Sequence, residues 1–217
     1  MKKKKIAKYI QEAETPIKPK VLYDKVTWGD MLTENEKTFL RNVLEDESHS
    51  KDEGLGIAIE AFALSHAATR ENITLVEKFL DEDFHNGIFA GTALKVLCYD
   101  YYWNLAKDYL SLLKGILLRQ ESDEELFSRA ALALGMYLSN NKDKEIFYFI
   151  YDLFQQALNE YHSKCDWETR DRVRSLYEAL RYASTPHEKL NDIYFEIEKM
   201  RFPDNIDNEL ILQYLKL

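Results

Sequence analysis

The sequence predicts an all-α fold built from stacked pairs of antiparallel helices. Four prolines and seven glycines in 217 residues are few for the many tight turns that an all-β fold requires. A short apolar cluster also recurs, in which a bulky residue stands four places before an alanine that a second large residue follows. That spacing places the bulky residue and the alanine on one helix face. The copies are Ile57 with Ala61-Phe62, Phe89 with Ala93-Leu94, and Phe127 with Ala131-Leu132.

The first 20 residues are predicted to be a basic N-terminal arm or short helix. They hold seven lysines against two glutamates, a net +5, whereas residues 21–217 carry −14 of the total of −9. A helix over residues 2–14 would end before two X-Pro pairs, the second of which is Lys18-Pro19, because a residue before proline is pushed out of the helical region. A single helical-repeat domain is predicted for residues 21–217.

Three predicted helix starts carry a capping box, in which a Ser or Thr oxygen accepts from the third helical amide and the Glu there reaches back. They are Thr33 with Glu36, Ser122 with Glu125, and Thr185 with Glu188. Helical periodicity and polar breaks place the other boundaries. The predicted helices lie near 34–46, 54–69, 72–81, 87–103, 105–119, 123–139, 143–162, 167–183, 186–200 and 206–215. Short links between them favour antiparallel neighbours.

The recurring cluster resembles HEAT-like repeats, which are helix pairs of about forty residues. Its alanines recur after 32 and 38 residues, and after a further 48 if Ala179-Leu180 is the fourth copy. In that copy Ser175 stands in place of the bulky residue. Over residues 54–200 the resemblance implies a right-handed α-α superhelix of antiparallel helix pairs, whose extended curved surface holds another macromolecule.

The sequence predicts no catalytic, cofactor or metal site. It has no glycine-rich phosphate loop, no His-Glu-x-x-His and no Cys-x-x-Cys. The acidic stretch 81–87 begins like a calcium loop, but Thr92 stands where such a loop requires glutamate. The five histidines are scattered, and Cys98 and Cys165 lie far apart, which predicts reduced thiols. We therefore expect a protein that is not an enzyme.

Hydropathy and charge predict a soluble, cytoplasmic protein with a protein partner. The lysine-rich start lacks the apolar stretch of about 7–15 residues that a signal peptide needs. No run reaches the roughly 18 apolar residues of a membrane span. The acidic body disfavours nucleic acid, because phosphate binding depends on an excess of Lys and Arg, and it favours a basic partner.

The predicted helix 143–162 carries the main candidates for partner binding. Its apolar stripe takes one face, which leaves tyrosine, carboxylate and amide side chains on the open side. These candidates are Tyr148, Tyr151, Asp152, Gln155 and Asn159.

A second candidate group is the run Tyr101, Tyr102 and Trp103 at the end of a predicted helix. Neighbouring residues of a helix point about 100° apart, so these rings cannot all face one core. They form either an exposed binding patch or a contact between neighbouring repeats.

One face of another predicted helix carries Arg170, Arg174 and Arg181, at offsets of four and seven residues. Arginine makes two-pronged contacts with carboxylates and phosphates, so this row is a candidate anion contact. Nearby carboxylates such as Glu178 can instead neutralise the row through ion pairs one turn apart.

A non-enzymatic protein-binding module is the function that these features favour. Small acidic helical-repeat proteins resemble immunity proteins that neutralise toxins, and a basic nuclease domain would suit the −14 body. The first alternative is a HEAT-like-repeat alkylpurine DNA glycosylase, whose aromatic, carboxylate and cationic parts would be imitated by Trp103, Asp108 and the arginines of residues 170–181. Five positions instead of four separate Trp103 from Asp108, which turns the carboxylate away from the indole. The second alternative is an adaptor subunit of a larger assembly.

Overall fold

The structure, a computed structural model, describes residues 18–46, 54–81, 87–119, 123–164 and 166–182. Within these ranges all regular structure is helical, which confirms the all-α prediction for the described residues. Most of the predicted arm, the Thr185 capping box and the predicted helices 186–200 and 206–215 lie outside them. The described α-helices are α1 (Pro19–Thr27), α2 (Glu34–Glu45), α3 (Gly54–Ser65), α4 (Arg70–Glu77), α5 (Ala90–Cys98), α6 (Leu110–Leu118), α7 (Glu124–Asn140), α8 (Lys144–Lys164) and α9 (Trp167–Tyr182). Short 3-10 turns, Lys78–Leu80 and Ala106–Tyr109, follow α4 and precede α6.

The chain divides into two compact units, Met1–Val96 and Leu97–Leu217. In the first unit α3 packs against both α1 and α2. In the second, α9 packs against α7 and α8, and α7 also contacts α6. None of the described helices is long and apolar enough to cross a membrane. The assignment of residues 21–217 to one repeat domain stays a prediction.

Helix α1 begins where the sequence predicted that helical structure would end. Lys18 is extended, with φ −112° and ψ 137°, as the residue before proline prefers. Pro19 then occupies the first turn, where its missing N–H costs nothing. At the other end Gly29 has φ +89°, and its N–H donates to the Val26 carbonyl at 3.1 Å. The Asp30 N–H donates to the Lys25 carbonyl at 3.0 Å, which completes a Schellman C-cap.

The capping box predicted at α2 is confirmed. The Glu36 N–H donates to the Thr33 hydroxyl oxygen at 3.3 Å, and the Thr33 N–H donates to the Glu36 carboxylate at 2.8 Å. Lys25 on α1 also donates to that carboxylate, at 2.9 Å. Glu36 therefore caps the start of α2 and also links it to α1 through the contact with Lys25.

Helix α3 ends at Ser65, four residues before the predicted end, and the next helix begins at Arg70, two residues before the predicted start. The Ser65 hydroxyl donates to the Ala61 carbonyl at 2.7 Å at the end of α3. Thr69, predicted to be helical, is instead the N-cap of α4 and accepts from the Asn72 N–H at 3.3 Å. The predicted boundaries at 69 and 72 are therefore wrong by a few residues.

The N-cap of α7 also differs from the predicted one. Asp123 caps this helix, since its carboxylate accepts from the Leu126 N–H at 3.1 Å. Ser122, the predicted cap, lies outside the described residues. An Asp N-cap is as effective as a Ser N-cap, so sequence alone could not decide between adjacent residues. Along its length α7 buries residues on several sides, including Ala130, Ala131 and Leu134.

The recurring apolar cluster lies in the core. Its alanines, Ala61, Ala93 and Ala131, are fully buried, and so is Ala179 of the irregular fourth copy. The bulky residues that precede them are buried at Phe127 and half-buried in the other two copies. The described helices pack against one another in a way that is compatible with a helical repeat.

Candidate functional site

The outer face of α8 presents the side chains that were the main binding candidates. Tyr148 is 51% exposed, and Asp152 and Asn159 are also exposed, at offsets of four and eleven residues that lie within about 40° on a helix. Tyr151 and Gln155 are half-buried beside them. We call these five residues the α8 outer face. It combines an aromatic ring with a carboxylate and amides.

The ring of Tyr148 packs against the buried ring of Phe147. Phe147, which is 3% exposed, meets the Tyr148 ring edge to face at 5.5 Å between centroids. The Tyr151 ring stacks on the same Phe147 at 6.2 Å. The opposite face of α8 is core, with Ile150 and Phe154 fully buried as the sequence predicted. An aromatic side chain supported in this way loses little conformational entropy when a partner covers it.

The second group of aromatic candidates lies in a tight loop after α5, which ends at Cys98 and not at 103 as predicted. The Tyr102 N–H and the Asn104 N–H both donate to the Tyr99 carbonyl, at 3.1 and 3.2 Å. Asn104 has φ +54°, a left-handed conformation that asparagine tolerates well. The chain therefore turns too sharply after Tyr99 to continue as a helix.

This loop splits its aromatic rings between core and surface. Tyr99 is fully buried, and its hydroxyl donates to the Arg129 carbonyl at 3.4 Å. Burial raises the pKa of the Tyr99 hydroxyl well above its usual range. Tyr101 is 55% exposed and lies 4.8 Å from the Tyr102 ring, while Tyr102 and Trp103 are half-buried. Tyr101 is thus the member of the group that a partner could reach most directly.

The carboxylate and the thiol of this region differ in how accessible they are. Asp108, the carboxylate of the glycosylase alternative, is exposed in the 3-10 turn before α6. Cys98 is buried, and burial raises the pKa of its thiol to about 12. A thiol that stays protonated at neutral pH is a poor nucleophile, so Cys98 packs as a small apolar residue. Cys165 lies outside the described residues.

The arginine row of α9 carries ion pairs along the helix. Arg170 Nε lies 3.5 Å from the Asp171 carboxylate, and Arg174 Nε lies 3.5 Å from the Glu178 carboxylate. Arg174 and Arg181 are exposed, and Arg170 is half-buried. The ion-pair interpretation of this row therefore has direct contacts for Arg170 and Arg174, and the proposed anion contact stays a prediction.

A groove that the sequence did not reveal lies between the first turn of α7 and the middle of α9. Its volume is about 250 Å³. We call it the α7–α9 groove, and the residues lining it are Glu124, Glu125, Phe127, Ser128, Asp171, Arg172, Arg174, Ser175 and Glu178. The acidic start of α7 and the mixed charges of α9 are visible in the sequence. The pairing of their faces is not visible in the sequence, because two helices that begin 43 residues apart are brought together only by the tertiary fold.

The first unit contains a half-buried salt bridge between Lys95 and Glu60. Lys95 donates to the Glu60 carboxylate at 2.8 Å, and the two side chains are 17% and 18% exposed. Burial, followed by the Glu60 charge, raises the pKa of the Tyr23 hydroxyl. Across the described ranges no three His, Cys, Asp or Glu side chains are grouped as metal ligands.

Comparison of the chain with protein-family models, with curated proteins and with solved structures finds no match to any of the three.

Proposed function

We propose that this chain is a non-enzymatic helical module that binds another protein. The observation that carries the proposal is the α8 outer face, where a half-exposed, well-supported Tyr148 lies beside Asp152 and Asn159. Interfaces are enriched in tyrosine, because it supplies a large contact area together with a polar group. The −14 charge of residues 21–217 favours a partner that is basic.

The narrower form of the proposal is an immunity-type protein that neutralises a toxin with a basic nuclease domain. It draws support from the negative charge and from the repeated apolar cluster, whose buried alanines fit closely packed helix pairs of the HEAT-like kind. In such a right-handed superhelix the α8 outer face would belong to the surface that holds the toxin.

The test uses the product of the neighbouring reading frame, since an immunity protein should be encoded beside its toxin. We expect Tyr148→Ala with Asp152→Ala to weaken binding by at least about tenfold, because a tyrosine anchor commonly contributes about 2 kcal/mol or more. Isothermal titration calorimetry measures the affinity, and the melting temperature should stay nearly unchanged because both side chains are exposed.

The comparison variant tests the second candidate group: Tyr101→Ala with Asp100→Ala removes the same two side-chain types from exposed positions in the loop after α5. It should leave binding within about twofold of the wild type. Undiminished binding of the folded Tyr148/Asp152 variant would place the interface elsewhere, and a loss in the comparison variant would place it at the loop after α5.

A further inference from the structure

Helix α1 and the turn after it expose three large apolar side chains to water. Val21 is 60% exposed, Trp28 is 83% exposed and Met31 is 86% exposed. Val21 and Trp28 are seven residues apart, which is about two helical turns, so they lie on one side of α1. We call these three residues the α1 apolar surface. Large apolar side chains grouped in one short stretch of chain mark a surface that another element covers.

The backbone on both sides of this surface is held by hydrogen bonds. The Schellman C-cap at Gly29 ends α1, and the capping box of Thr33 and Glu36 begins α2. Leu32, directly after Met31, is buried. The turn is therefore already ordered, and covering the α1 apolar surface requires little further loss of backbone entropy.

The chain directly before α1 carries an apolar stripe of matching length. Within the helix predicted over residues 2–14, apolar residues recur at the helical spacing i, i+3, i+4 and i+7. They are Ile6, Tyr9, Ile10 and Ala13. The first and last of them are seven residues apart, as are Val21 and Trp28. Each stripe is therefore about 10 Å long, and the two can pack side by side.

The link between the two stripes suits an antiparallel pair of helices. Residues 15–18 separate the predicted helix from α1, which is within the roughly two to eight residues of ordinary helix–helix connections. Antiparallel packing brings the start of the segment to the C-terminal end of α1.

Charges at that end of α1 are complementary to the start of the segment. Residues 2–5 are four consecutive lysines. The C-terminal end of a helix carries the negative pole of its dipole. The exposed carboxylate of Asp30 follows α1 directly, and the Glu34 side chain, four residues further on, is 87% exposed. The lysines and these carboxylates therefore attract each other in the antiparallel arrangement.

We propose that residues 2–14 dock as a helix on the α1 apolar surface of their own chain. The apolar stripe covers Val21, Trp28 and Met31, and the lysines lie beside Asp30 and Glu34. Because the link is short, the segment is held at a high effective concentration next to its site. This inference concerns a surface other than the α8 outer face, and its test needs no partner.

The test measures acrylamide quenching of Trp28 fluorescence in the full chain. Trp103→Phe with Trp167→Phe leaves Trp28 as the only tryptophan. In this background the stripe variant is Ile6→Asn with Ile10→Asn, and the control is Ala7→Asn with Gln11→Asn, which makes the same change at the same spacing off the stripe. We expect the quenching constant to rise about threefold in the stripe variant and less than about 1.5-fold in the control, since only the stripe covers the indole. Equal constants in all three proteins would overturn the proposal.

Protein concentration distinguishes the chain's own segment from that of a second copy. Docking within one chain gives a quenching constant that stays the same over about a hundredfold dilution, because the effective concentration is set by the link. Protection of Trp28 that is lost on dilution would overturn docking within one chain and assign the segment to a second copy.

Proteolysis provides a second measurement that keeps the native tryptophans, should the Phe background not fold. Mass spectrometry follows tryptic cleavage after Lys8. Trp28→Ser should speed this cleavage about fivefold, because it releases the segment, and Trp167→Ser, at a 56% exposed position in the second unit, should change it less than about twofold. Equal cleavage rates in wild type and Trp28→Ser would contradict the docking.

Discussion

At the scale of single residues, two glycines of the second unit differ in what surrounds them. A Cβ atom added at Gly135 would lie 2.6 Å from the Ala179 carbonyl oxygen and 2.7 Å from its Cα atom. A Cβ atom added at Gly115 on α6 would meet nothing within 4 Å. Gly135 therefore permits a close approach of the α7 and α9 backbones, whereas Gly115 lowers the stability of its helix without a packing benefit.

We predict opposite effects of alanine at these two glycines. Gly135→Ala should destabilise the protein by about 1–3 kcal/mol, since backbone atoms must shift to admit the methyl group. Gly115→Ala should stabilise it by about 0.5–1 kcal/mol, through the higher helix propensity of alanine. Urea denaturation followed by circular dichroism measures both, and a stabilising Gly135→Ala would contradict the close crossing.

At the scale of elements, the start of α2 shows how a helix terminus becomes sensitive to pH. The pKa of Glu36 is lowered from its ordinary value of 4.5, first by the hydrogen bond from the Thr33 amide and then by the bond from Lys25. A carboxyl group with a lowered pKa in the folded state stabilises the fold above its unfolded pKa. That contribution is lost as the pH falls through the folded pKa.

We therefore predict that Glu36→Gln reduces the acid sensitivity of the protein. Glutamine preserves the capping box but has no charge to titrate, so the variant should lose stability at pH 7 and should lose less of it than wild type as the pH falls below 4.5. Urea midpoints from pH 7 to pH 3 measure the difference. Glu34→Gln, at an 87% exposed position on the same helix, is the control. Parallel pH profiles of wild type and Glu36→Gln would contradict the prediction.

Local signals explain which elements could be predicted from the sequence. The Thr33 box and the span of α8 follow from residues within a few positions of one another, and both agree with the structure within two residues. Helix α1 was missed because Pro19 was interpreted only as the end of a helix, although proline also favours the first turn. The tight loop after Tyr99 was missed because its left-handed residue is Asn104 and not glycine.

Contacts between elements distant in the chain were not predictable in the same way. The α8 outer face required only the periodicity of one helix, so the exposed positions of Tyr148, Asp152 and Asn159 could be assigned in advance, whereas Tyr151 and Gln155 are half-buried. The α7–α9 groove and the Gly135 contact depend on which faces of two helices meet. That choice is made by the packing of the whole unit.

At the scale of the whole molecule, the protein-binding proposal and the glycosylase alternative predict different affinities for DNA. We predict that the protein binds duplex DNA poorly at physiological salt, because residues 21–217 carry −14 and lack the excess of lysine and arginine over acidic residues that phosphate binding requires. Fluorescence anisotropy of a labelled duplex at several salt concentrations measures this. The contradicting result would be alkylated-base excision that Asp108→Asn abolishes.

The close contact of Gly135 with Ala179 also has a consequence for synthesis of the chain. The two residues are 44 positions apart, so a ribosome that adds roughly 5–20 residues per second needs about 2–9 s to produce the second after the first. During those seconds the apolar side of α7 that α9 will cover has not yet met its partner. The nascent chain therefore exposes this apolar side of α7 at least while residues 141–182 are being translated.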